Sequence, residues 1–126
     1  MKINIFINNQ KFEAELNDTK IAEEIYKVLP IEAEGNLWGN EIYFEIPVEM
    51  PNEKPTEELK VGDLAYWPEG NSFCIFYGRT PASTDGDPKP ASQVTIIGKI
   101  KGNLEELIKI DEAEIKITGS TLFFSS

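Results

Sequence analysis

Isoleucines recur at every second position from the start of the chain. Ile3, Ile5 and Ile7 are flanked by Lys2, Asn4 and Asn8, the period-two pattern of a strand with one buried face. Asn8-Asn9 supplies residue types that tolerate the positive φ angles of a tight hairpin turn. Phe12, Ala14 and Leu16, interleaved with Lys11, Glu13 and Glu15, form the return strand. The period then changes: Ile21, Ala22, Ile25, Val28 and Leu29 fall at helical spacing, with Lys20, Glu23, Glu24 and Lys27 on the other face. Asn17 or Asp18 is expected to cap this helix and Pro30 to stop it.

Farther on, Glu32-Ala33-Glu34 reads as a short strand and Glu41 to Ile46 as a strong one, closed by Pro47. The stretch Glu49 to Lys60 contains Pro51 and Pro55, has no apolar period and reads as a surface loop. Asp63 to Trp67 and Phe73 to Tyr77 are strands joined by the turn Pro68-Glu69-Gly70-Asn71. A second long loop, Thr80 to Gln93, carries Pro81, Pro88 and Pro90. Val94 to Lys101 is a strand, Asn103 caps a short helix through Leu104, Leu107 and Ile108, and Ala113, Ile115 and Ile117 alternate on a further strand. Thr121 to Phe124 is expected as a last short one.

About eight or nine strands in one chain of 126 residues must close or stack to cover their edges. The pattern therefore predicts a mainly β fold: a single domain over residues 1–126, built as a closed, mostly antiparallel barrel with one clear helix and one short helix. The helix Ile21–Leu29 is expected to cover one open end. A sandwich is the alternative.

Composition narrows the chemistry. One cysteine, Cys74, excludes an internal disulfide, and the absence of histidine excludes the usual zinc, haem and copper sites and every histidine-based triad. No cofactor and no metal site are expected. Asp85-Gly86-Asp87 lacks the further spaced ligands of a calcium loop and reads as a plain turn. Twelve basic against 22 acidic residues leave a net charge of −10, which repels phosphate backbones and anionic membrane surfaces. Neither nucleic acid nor membrane is an expected partner. There is no apolar run of spanning length and no leader pattern at the N-terminus, so a cytoplasmic location is expected.

Two segments carry a resemblance. Trp38-Gly39-Asn40-Glu41-Ile42-Tyr43-Phe44 and the run from Gly62 to Pro81, with Gly62-Asp63, Tyr66-Trp67-Pro68, Gly70 and Ile75-Phe76-Tyr77-Gly78, are similar to two motifs of the small bacterial and archaeal cyclophilin-like proteins. That family implies a barrel fold and no settled activity. More distantly, Tyr43 to Met50, Phe73 to Tyr77 and Val94 to Ile100 resemble cyclophilins, which isomerise the bond before proline. The resemblance implies an arginine at the prolyl amide, a glutamine, an apolar pocket and a histidine at its rim. In this chain the arginine position falls on Phe44 and the histidine on Val94. The pocket phenylalanines fall on Glu49 and Cys74, the methionine on Met50 and the glutamine near Asn52. The barrel-forming positions match while the chemical ones do not, and no catalytic residue is expected.

The function expected on these grounds is non-enzymatic: a barrel binding a small molecule or an extended peptide in a surface groove. Its wall is expected to comprise Met50, Tyr66, Trp67, Cys74 and Arg79, with Glu49 at the edge. The alternatives are a divergent prolyl isomerase using Arg79, otherwise a solvated loop residue, and an assembly module pairing through exposed aromatics. Oligomeric state is not legible. Phe44, Phe73 and Ile75 are expected in the core. Trp38, Tyr66 and Trp67 sit beside turns and fit either barrel plugs or groove walls. Cys74 reads as a buried inert thiol, and Glu41 and Glu45 as solvent-facing. The loop from Arg79 to Gln93 is expected to form a wall or lid of the groove.

Overall fold

The computed structural model describes residues 1–120. Its strands are β1 (Lys2–Ile7), β2 (Gln10–Leu16), β3 (Ile31–Leu37), β4 (Glu41–Glu45), β5 (Asp63–Trp67), β6 (Ser72–Phe76), β7 (Thr95–Ile100) and β8 (Ala113–Gly119). They close into a barrel in the order β1-β2-β7-β5-β6-β4-β3-β8. Every pairing is antiparallel. Closure removes the unpaired edges that the strand count exposes, and the sandwich alternative falls away. The strand expected at Thr121 to Phe124 lies outside the described residues.

The β1–β2 turn works as its residues require: Asn8 and Asn9 have φ of 51° and 70°, and β1 and β2 pair in register from Lys2↔Glu15 to Ile7↔Gln10. The helix α1 (Lys20–Lys27) is capped by Thr19 rather than Asn17 or Asp18. The Thr19 hydroxyl accepts from the Ala22 N–H at 3.1 Å. Asn17 acts one step back, its Oδ1 accepting from the Thr19 N–H and hydroxyl. Glu53, arriving from a distant loop, accepts from the Lys20 and Ile21 N–H groups at 3.1 and 2.8 Å. That places a carboxylate where the helix dipole favours one and satisfies donors the helix leaves unpaired. Ile21, Ala22 and Ile25 join the cluster that fills the barrel interior.

The short strand expected at Glu32-Ala33-Glu34 is longer, because its outward glutamates leave a continuous edge that pairs with β8 from Ile31 to Gly35. Asn103 caps the short 3-10 helix Leu104–Lys109, accepting from the Glu105 N–H. Inside the barrel, Phe44 stacks on Phe73 with ring centres 5.4 Å apart. At the β2–β7 seam Gly98 meets the Glu15 carbonyl so closely that no side chain fits.

Around β1, β3 and β8 burial alternates residue by residue, with one wet face. On β5 and β6 it does not: nearly every residue of both strands is buried on both faces. Part of the cover comes from the two long loops, through Leu59 of the first and Val94 at the end of the second. The two segments are joined by reciprocal backbone hydrogen bonds between Thr56 and Val94 at 2.9 and 3.0 Å. Beneath them Leu59, Ala65, Cys74, Phe76 and Val94 form a second apolar cluster outside the barrel. The charged loop Glu49 to Lys60 is thus a surface segment with one buried anchor, Leu59. Among the described residues no helix is long and apolar enough to cross a membrane.

Candidate functional site

Strand register decides which side chains meet outside the barrel. In the β4–β6 pair Glu41 opposes Phe76 and Tyr43 opposes Cys74; in the β5–β6 pair Ala65 opposes Cys74 and Trp67 opposes Ser72. Opposed residues project to the same side of a sheet, and neighbours along a strand to opposite sides. Glu41, Tyr43, Trp67, Cys74 and Phe76 therefore share the outer face, whereas Phe44, Tyr66 and Phe73 share the interior. Glu41 and Glu45 stand on one face of β4, yet only Glu45 is exposed. The solvent-facing expectation for Glu41 fails because the second loop closes over its end of the strand.

On that face lies a cavity of about 160 Å³. Trp38, Tyr43 and Trp67 wall it, Pro90 and Ala91 of the loop close one side, and Glu41 and Val94 complete the lining. Tyr43 and Trp67 meet edge to face, 6.2 Å between ring centres and 80° between planes. The Trp67 indole N–H donates to Ser92 Oγ at 2.7 Å, which ties the wall to the loop. Gly70 makes room for the Trp67 ring, since a Cβ there would come within 2.7 Å of it.

The loop is held from within. The Thr80 hydroxyl donates to the Lys89 carbonyl, and Ser83 Oγ to the Asp87 carbonyl at 2.8 Å. Asp85-Gly86-Asp87 is a side-chain-stabilised turn, the Asp87 N–H donating to Asp85 Oδ1 at 2.9 Å. Lys60 pairs with Asp87 at 2.8 Å. Among the described residues no acidic or cysteine cluster has the makings of a metal site. At the loop's base, Gly39 (φ 59°) lets the β3–β4 turn lie against Thr80 and Pro81.

Glu41 is 6% exposed. Burial pushes its carboxyl up to about 7, and the neighbouring Cys74 thiol offsets only part of that rise. None of the ion pairs among the described residues involves it. Burial, and then the Glu41 charge, pushes the Cys74 thiol well above its ordinary value. The same two causes raise Tyr77 to about 12. Cys74 is thus a buried thiol with its thiolate suppressed, unsuited to nucleophilic work. The group able to change charge near neutrality is Glu41, which donates a hydrogen bond when protonated and pairs with a cation when ionised.

The six residues expected to wall one groove fall in separate places. Trp67 lines the cavity, and Cys74 lies buried on the same face. Tyr66 is a barrel plug, its hydroxyl held by the Val48 carbonyl and accepting from the Met50 N–H. Met50 and Glu49 border a separate open depression beside α1, with Lys20, Glu23 and Val28. Arg79 is exposed and its guanidinium donates to the Ser83 carbonyl at 3.4 Å. Alternation separates Tyr66 from Trp67, and the turn at Pro47 carries Glu49 and Met50 toward the helix. Of the positions where a cyclophilin has its arginine and histidine, Phe44 points into the barrel and Val94 lines the cavity.

Glu41 and Tyr43 are not among the expected site residues, whereas Trp38 fits a groove wall and Pro90 and Ala91 belong to the loop expected to wall or lid the groove. The available signal was parity: Glu41 and Tyr43 alternate together, on the strand that pairs with the one carrying Cys74. A larger depression of about 710 Å³ lies on the other side of the barrel, over β1, β3 and β8. It is bordered by solvated Glu32, Glu34, Glu114 and Lys116 and brings no buried polar group to a point.

A family described as cyclophilin-like matches residues 1–118. The solution structure of the hypothetical protein AF2241 from Archaeoglobus fulgidus is similar at a TM-score of 0.79 and 31% identity, over 95% of each chain. The structure of McbB in complex with tryptophan is similar at a TM-score of 0.67 and 14% identity, a likeness of fold alone. It covers 98% of this chain and 46% of that one. No curated protein matches the sequence.

Proposed function

The chain belongs to the cyclophilin-like family, and on that premise we propose that it is a non-enzymatic binding barrel. Its ligand is a small molecule, or one side chain of an extended peptide, held in the cavity between Trp38, Tyr43 and Trp67. The observation that carries this reading is Glu41, a buried carboxyl with no ion pair among the described residues, opening onto an aromatic cavity. Burying an unpaired ionisable group costs stability, and a group so perturbed in a cleft is a candidate for a functional role. At about 160 Å³ the cavity is close to the roughly 150 Å³ void that benzene enters in an engineered core, so it suits a single ring or a group of that size.

The isomerase reading has less support. Weakening a prolyl amide requires a cation or strong donor at its nitrogen. Phe44 stands inside the barrel, and Arg79 engages its own loop rather than the cavity. The test is a fragment titration followed by the indole N–H signals of Trp38 and Trp67. Ring-sized fragments are expected to move both, and Trp67→Ala to abolish the effect. Fragments that leave both indoles unmoved and perturb only the depression beside Met50 would overturn the proposal.

A further inference from the structure

We infer that the cavity selects a small organic ammonium ion, a protonated primary or secondary amine on a group of about one ring. The inference rests on the cavity being the binding site. Three electron-rich rings line it, and a cation near such rings is attracted to them, most strongly where water is excluded. Its one carboxyl is that of Glu41, and no lysine or arginine lines it. The Trp67 N–H is engaged by Ser92, which removes one donor an anion could use. The chain's net charge of −10 favours the approach of cations and opposes that of anions.

The groups facing Glu41 leave this charge role to it alone. From β6 and the residue after it come Cys74 and Tyr77, both held in their neutral forms. Of the cavity's other lining residues, Tyr43 of β4 carries a phenol, whereas Trp38 of the β3–β4 turn, Trp67 of β5 and Pro90, Ala91 and Val94 of the loop carry no ionisable side chain. An ammonium ion entering the cavity binds the ionised carboxylate. Where Glu41 was protonated beforehand, one proton passes to the solvent as the amine binds, and the complex keeps its charge balanced.

The experiment compares benzylammonium, benzyl alcohol and benzoate, which share one ring and differ in charge, by calorimetric titration of the native protein and of Glu41→Gln. Native protein is expected to bind benzylammonium about tenfold more tightly than benzyl alcohol and benzoate not at all. In Glu41→Gln the preference for the cation should vanish while benzyl alcohol binding persists. In native protein, benzylammonium affinity should fall as pH drops through about 7, with proton release seen as buffer-dependent heat.

Equal affinity for the alcohol and the ammonium in native protein would overturn the inference and leave the cavity as a binding site. A cation preference that survives in Glu41→Gln would overturn the role of Glu41. Binding of none of the three would overturn the cavity as the site, and the inference with it.

Discussion

Glu41 and Cys74 lie diagonally across the β4–β6 pair, two residues out of direct register, with carboxyl and thiol facing each other on the outer face of the barrel. Burial makes ionisation unfavourable for both, and the Glu41 charge disfavours the thiolate further. The thiol stabilises the carboxylate a little, but the loop that excludes water outweighs it. Near neutral pH the carboxyl is therefore poised between its neutral and ionised forms, and a cation favours the ionised one.

Stability should fall as pH rises through this group's window. At pH below about 4.5, its ordinary value, Glu41 is protonated in both folded and unfolded chains. Between there and about 7 the unfolded chain has released the proton and the folded chain has kept it, so rising pH favours unfolding. Above that window the loss levels off, at on the order of 3 kcal/mol. Glu41→Gln should lack this component and be the more stable protein in mild alkali. Urea midpoints of both proteins across the window check it; parallel curves for the two would contradict it.

Cys74 should resist thiol reagents in the folded protein and react only at the rate of unfolding. Burial is the larger cause of its raised pKa, ahead of the Glu41 charge, so Glu41→Gln should leave the thiol protected. The labelling rate with an aromatic disulfide reagent, in water and in denaturant, measures this. Rapid labelling in water would show that the covering loops open readily.

Gly98→Ala should destabilise the barrel by roughly 3 kcal/mol. The added methyl would collide with the Glu15 carbonyl and lie 3.0 Å from the Leu16 Cα, both backbone atoms of the neighbouring strand. Gly86→Ala, where an added methyl meets no atom within 4 Å, should change stability by less than about 0.5 kcal/mol. Thermal melting of the pair tests whether the β2–β7 seam is as tight as its backbone distances indicate.

No acceleration of prolyl isomerisation is expected on a standard proline peptide, and Arg79→Ala should match the native protein. A rate enhancement that disappears in Arg79→Ala with the fold intact would restore the enzymatic reading.

The alternation of Ile3, Ile5 and Ile7, the asparagine turn, the amphipathic helix and the number of strands pointed to a closed antiparallel barrel and left a sandwich open, which closure of the strand order excludes. Each of those signals is local, and each follows from which side of a strand or helix a residue must occupy. Parity along Phe73 to Tyr77 likewise separated the inward residues from the outward ones. What local pattern does not carry is which outward face stays wet. Glu34 and Glu41 both alternate with less polar neighbours, yet Glu34 is solvated on β3 and Glu41 is buried on β4. The difference comes from residues about fifty positions away in sequence, where Pro90, Ala91 and Val94 lie across β4. Burial is a property of what packs on top of a side chain, so the chemistry of Glu41 was settled only when the loop, the Trp67–Ser92 hydrogen bond and the two strands came together.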